Sequence, residues 1–196
     1  MNRAHLLYFK PFLLYLPLAV VLLIWAVTSA PFSWISCALI FTLSALGWPL
    51  VEYGVHRGIF HFPAKSAWVR SFLYRSHLVH HDDPQDIRFV FVRFSASVPI
   101  NALIFLLLWS VVGQWQGAAL AIAGLMAGYL FYEFVHYSAH FRTPKTPWMR
   151  YLKKYHVLHH HQDEQTRFGV TTPVVDWLFG TYRPIPSKTS AGLQTS

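Results

Sequence analysis

Disulfides, flexible linkers and a normal complement of charge are all missing from this chain. Its one cysteine, Cys37, lies in an apolar stretch, so no intrachain disulfide can form and the thiol reads as a small core residue. Only 12% of the 196 residues are charged, and 8 are acidic, about half the charge of an ordinary soluble domain. No Gly/Ser-rich or low-complexity tract interrupts residues 1–186, which are expected to form a single domain, with 187–196 as a polar tail. What remains is apolar: 54% hydrophobic and 17% aromatic residues, with a mean hydropathy of +0.34.

Four stretches are long and apolar enough to span a bilayer: 11–28, 34–51, 97–112 and 117–135. None contains Lys or Arg, and Glu133 is their only acidic residue. The first is too long, and too poorly flanked by small residues, to read as a removable signal peptide. All 16 Lys and Arg lie before the first stretch or at its edge, between the second and third, or after the fourth; the connections at 30–33 and 113–116 carry none. That asymmetry predicts both termini on the cytosolic side. It also accounts for the net charge of +8 without nucleic acid. The basic-aromatic segments Trp68–Tyr74 and Trp148–Tyr155 read as helices lying on an anionic lipid surface.

Histidine is the abundant polar residue. Apart from His5, the twelve histidines form four clusters, all on the predicted cytosolic side: His56/His61 (HxxxxH), His77/His80/His81 (HxxHH), His136/His140 (HxxxH) and His156/His159/His160 (HxxHH), the last followed by His161. Residues three or four apart share a helical face, so each HxxHH is expected to aim its three rings at one point. HxxxxH does not fit a straight α-helix, which predicts a helix end or bulge before His61, with Gly58 permitting it. The pattern repeats: His61 precedes His77 by the same interval that separates His140 from His156, and each interval contains Lys-x-x-Trp-x-Arg. The chain reads as two copies of one unit, each a membrane hairpin followed by five histidines. So many neutral imidazoles form a nitrogen cage suited to iron, zinc or copper, and two sets of five point to two metal ions.

This series of boxes, with Tyr132-Glu-Phe-Val-His136-Tyr137, Leu152-Lys-Lys-Tyr-His156 and Phe168–Thr181, resembles the fatty acid hydroxylase/sterol desaturase superfamily, closest to its fatty acid 2-hydroxylases, over residues 45–183. The resemblance implies an all-α membrane protein, with four transmembrane helices and a cytosolic helical cap holding a dimetal site. It implies that His56, His61, His77, His80, His81, His136, His140, His156, His159 and His160 ligate the metals. His161 stands where the subgroup usually has an apolar residue and is left out. The implied activity is O₂-dependent hydroxylation of a lipid acyl chain at position 2. It calls for two iron ions, since zinc lacks one-electron chemistry, although purified protein can carry zinc.

No cytochrome b5 module is recognised, so the resemblance implies a separate electron donor of cytochrome b5 or ferredoxin type. That, together with an ending that carries no Lys-rich retrieval signal, favours a bacterial inner membrane over the endoplasmic reticulum. Glu52 and Glu133 are candidates either to hydrogen-bond ligand rings or to pair with nearby arginines. Asp176 and Trp177 either close the site over substrate or cap and anchor a last helix. Two competing readings are a carotenoid- or sterol-type hydroxylase or desaturase and a non-enzymatic membrane metal-binding or transport protein.

Overall fold

The computed structural model describes residues 8–186; His5 and the 187–196 tail lie outside that range. The described residues are helical with no strand. Helix α1 (Lys10–Ser29) opens with Pro11 in its first turn, where no backbone donor is lost. Helix α2 (Trp34–Val55) is capped by Ser33, whose hydroxyl accepts from Ser36 N at 3.1 Å. It runs without a break into a π turn, His56–Phe60. A short helix α3 (Ala67–Leu73) likewise passes into a π turn, Tyr74–Leu78, and then α4 (Val79–Asp82). Helices α5 (Ile87–Val90) and α6 (Phe94–Val112) follow. Gly113 at φ 72° ends α6 in the left-handed conformation that a residue without Cβ adopts freely. Then come α7 (Trp115–Phe141), α8 (Pro147–His161) and α9 (Val174–Leu178).

Four helical stretches are long and apolar enough to cross a membrane: Lys10–Ser29, Trp34–Phe60, Ile87–Val112 and Trp115–Phe141. The second and fourth run further toward the histidine boxes than hydropathy alone indicates, because Glu52, His56, Glu133, His136 and His140 continue the helices as buried polar residues; the third begins ten residues earlier than expected, at Ile87.

Helix α7 is the axis of the bundle: 78% of its apolar window is buried, against 11–17% for the other three, which pack around it. Its small residues explain the close fit. A Cβ on Gly124 would lie 2.3 Å from Phe41 O, and one on Gly128 would lie 2.3 Å from Trp48 Cβ. Gly124 and Gly128 form a G-x-x-x-G face of the kind that lets apolar helices approach. Leu13, Leu43, Leu46 and Leu103 point outward, as residues facing lipid tails do. The short helices, α8 and the segment 162–173 gather at one end of the bundle, around the histidines.

Candidate metal centre

Helix geometry divides the ten histidines into two sets. His56, His61, His77, His81 and His159 converge in one, and His80, His136, His140, His156 and His160 in the other; within each set the ligating atoms lie within 4.8 Å of one another. His161 is exposed and belongs to neither.

The sets are not the two repeats. The middle histidine of each HxxHH box crosses over, His80 to the second set and His159 to the first. The expectation that each box aims three rings at one point is thereby corrected. Successive helical residues diverge by about 100°, so the i and i+4 rings share a direction that the i+3 ring does not. His77 and His81 stay together at 3.1 Å between Nε2 atoms, as do His156 and His160 at 3.0 Å. The rings of His81 and His160 stack at 4.1 Å and bring the two sets into contact.

HxxxxH is resolved by a bulge. His61 N donates to His56 O at 3.1 Å, an i→i+5 bond that widens the turn and returns the fifth residue to the face of the first. Gly58 has open space around it. The second π turn, Tyr74–Leu78, leads into the first HxxHH box, has no counterpart in α8 and carries no signal in the spacing.

The donors fit a transition metal. In the first set Nε2 of His56 lies 3.0 Å from that of His77. In the second, Nε2 contacts join His80 to His136 (2.9 Å) and His140 (3.1 Å), and His156 to His140 (2.9 Å). Two nitrogens about 2.1 Å from one ion are about 3.0 Å apart at right angles and about 3.4 Å apart at the tetrahedral angle. The observed separations of 2.9–3.1 Å match the shorter of these values, and five such donors would leave a six-coordinate ion room for one more ligand. Burial holds His61 and His81 down at about 3, helped by neighbouring imidazoles. It pushes His77, His80, His156, His159 and His160 well below the ordinary histidine range. The rings are therefore neutral and offer lone pairs.

The expected carboxylate partners act elsewhere. Glu52 accepts from the backbone N–H groups of Val170 and Thr171 and from the Thr171 hydroxyl. Glu133 accepts from Val92 N at 3.1 Å and Tyr129 Oη at 2.5 Å. Neither carboxylate hydrogen-bonds to a histidine or pairs with an arginine among the described residues, because each faces backbone donors of a connecting segment. Asp176 is buried and neither closes the site nor faces solvent: it accepts from Phe168 N and Gly169 N, both at 2.8 Å, and from the Thr181 hydroxyl. Trp177 is 71% exposed, so it does not cover the histidines.

Contacts to the ligand rings come instead from residues 164–171. Phe168 O accepts from His56 Nδ1 at 2.6 Å, and Thr166 O from His159 Nδ1 at 2.7 Å. His81 Nδ1 lies 3.2 Å from the Glu164 carboxylate without hydrogen-bond alignment. This strap is tightly built: Arg167 sits at φ 61°, and a Cβ on Gly169 would lie 2.1 Å from Thr172 O. Beneath the first set, between α2, α6 and α7, an apolar cavity lined by Trp48, Val55, Phe60, Ile100, Ile104 and Tyr132 reaches His56.

Comparison with known proteins agrees with this architecture. The profile of the fatty acid hydroxylase family matches residues 41–181. A dihydroceramide fatty acyl 2-hydroxylase of Arabidopsis thaliana is 35% identical over 147 residues, 73% of this chain and 60% of that protein. The fatty acid 2-hydroxylase of Homo sapiens is 33% identical over 149 residues, 74% of this chain and 40% of that one. The ceramide very long chain fatty acid hydroxylase of Saccharomyces cerevisiae is 37% identical over 157 residues, 73% and 38%. The chain thus spans from about two fifths to three fifths of these relatives. The solved hydroxylase domain of scs7p superposes with a TM-score of 0.84 at 28% identity, covering 92% of this chain and 68% of that one. The relatives are plant, animal and yeast proteins and lend no support to a bacterial membrane.

Proposed function

The chain belongs to the fatty acid hydroxylase family, and from that premise we propose that it hydroxylates a lipid acyl chain at position 2, with O₂ as co-substrate. The observation that carries the reading is the juxtaposition of two five-nitrogen sets with an apolar cavity between spanning helices. His56, His61, His77, His81 and His159 would hold one iron ion, and His80, His136, His140, His156 and His160 the other. The metal pair supplies the redox chemistry that O₂ needs to attack an unactivated C–H bond, which zinc cannot supply. One oxygen atom enters the lipid and the other leaves as water, so each turnover consumes two electrons and two protons from a separate donor of cytochrome b5 or ferredoxin type.

The residues of this chain bind, orient and exclude water. The cavity holds only about 30 Å³, so its walls would part to admit the methyl end of the acyl chain and would leave the carbons next to its carbonyl near His56. The strap fixes the His56 and His159 rings through backbone carbonyls. The distribution of basic residues supports placing the histidine sets on the cytosolic side, where a soluble or membrane-attached donor can reach them.

The test is mass spectrometry of lipids from cells with and without the chain. Acyl chains heavier by one oxygen atom, with the hydroxyl at position 2, are expected. Chains lighter by two hydrogens would instead make the protein a desaturase, and unchanged lipids in metal-supplied cells would refute the reading.

A further inference from the structure

The protein's contacts to the far side of the ligand rings are distributed unequally. In the first set, two of the five histidines hydrogen-bond through Nδ1 to one segment, His56 to Phe168 O and His159 to Thr166 O, while His81 Nδ1 lies 3.2 Å from the Glu164 carboxylate without hydrogen-bond alignment. In the second set, Nδ1 of His80, His136, His156 and His160 is buried with no hydrogen-bond partner among the described residues. The chemistry of the ten rings is identical, so the difference lies in what stands behind them.

A partner on the far nitrogen fixes the tautomer, stops the ring rotating and raises the basicity of the ligating nitrogen; loss of such a partner typically costs about 10–100-fold in metal affinity. Resting on the metal reading above, we propose that the two positions hold their ions unequally, and that the 164–171 strap makes the first set the retentive one. The strap is locked from two directions. Asp176 accepts the N–H groups of Phe168 and Gly169, and Glu52, reaching up from α2, accepts those of Val170 and Thr171. The carbonyl that holds His56 therefore belongs to a peptide stretch in which Phe168's own N–H and the next three are all taken by buried carboxylates. Asp176 and Glu52 are positioning residues: their carboxylates act on the ion through Phe168 O and His56, and neither carboxylate hydrogen-bonds to a ligand ring. Gly169 makes the arrangement possible, since any side chain there would meet Thr172 O and Asp176 Oδ2. The second set, four of whose rings have no hydrogen-bond partner on Nδ1 among the described residues, exchanges its ion first.

Detergent-solubilised full-length protein loaded with zinc, held in excess EDTA and sampled over time for bound zinc by plasma mass spectrometry, tests this. Two phases are expected, one ion leaving at least about 10-fold faster than the other. His136→Ala, which disturbs only the second set, removes the fast phase and keeps the slow one. Asp176→Asn accelerates the slow phase by about 10-fold or more and leaves the fast phase alone; Glu164→Ala, at a half-exposed position, accelerates the slow phase by less, because its carboxylate lies near His81 Nδ1 without a hydrogen bond. A general loss of structure would instead speed both phases. Two ions leaving at one rate, or a slow phase lost in His136→Ala and unmoved by Glu164→Ala, would overturn the inequality while leaving the metal reading intact. A protein that takes up no zinc and no iron overturns the metal reading, and the inequality with it.

Discussion

At the scale of single residues, His80 and His159 carry the most unusual duty. Each sits in one repeat and serves the set that the other repeat mostly supplies. His80→Ala therefore removes a donor from the set built around α7 and α8, and His159→Ala one from the set built around α2 and α4. Each substitution is expected to lower hydroxylated lipid by more than the about 10–100-fold typical of partners one bond further out, measured as product per amount of membrane-inserted protein. Full product formation in either variant would contradict the assignment. The identity of the ten histidines was legible in the sequence, because their spacing is a direct consequence of helical periodicity. Their partition was not, since spacing gives directions around each helix axis but not the angle at which two axes meet. The partners of Glu52, Glu133 and Asp176 were equally hidden: all three accept backbone N–H groups, and a backbone donor leaves no trace in residue type.

At the scale of elements, two devices place the site: the π turns and the glycine face of α7. The misfit of HxxxxH to an α-helix was enough to foretell a bulge before His61, whereas nothing in HxxHH announces that the first box is reached through a second π turn and the other through a regular helix. The glycine face decides how far apart α2 and α7 stand, and those helices carry His56 and His136, one from each set. Gly128→Val places a branched side chain against Trp48. It is expected to destabilise the bundle by about 1–3 kcal/mol, the usual cost of overpacking, seen as a lower temperature of aggregation in detergent. Gly113→Ala, with open space around its Cβ position, strains only a left-handed turn at the far end of the bundle. It should leave metal content unchanged. Metal loss in Gly113→Ala with retention in Gly128→Val would reverse the roles assigned to these glycines.

At the scale of the whole molecule, the spanning segments were legible from hydropathy to within a turn or two at the end away from the histidines. At the histidine end the second and fourth were read short, because buried Glu and His residues lower hydropathy without ending a helix. Each histidine set draws on both halves of the chain, so each ion would bind the folded state and not the unfolded one. Such ligands stabilise by mass action, about 4 kcal/mol when present at a thousand times their dissociation constant. Chelation is expected to lower the melting temperature of the purified protein, and added zinc or iron to restore it. An unchanged melting temperature would mean that the sets are filled by packing alone.

The crossing of His80 and His159 also has a consequence in time. Chains are made from the N-terminus at about 5–20 residues per second. Were the sets simply the two repeats, the first five histidines would all be present once residue 81 had been made, with α6 and α7 still to be inserted and no cavity beside them. Because the first set waits for His159 and the second for His160, neither is complete until nearly the whole hydrophobic bundle exists. A redox-active ion captured during synthesis thus lacks a finished cage until there is a chamber to confine its chemistry, and the order of assembly is written into the position of two residues.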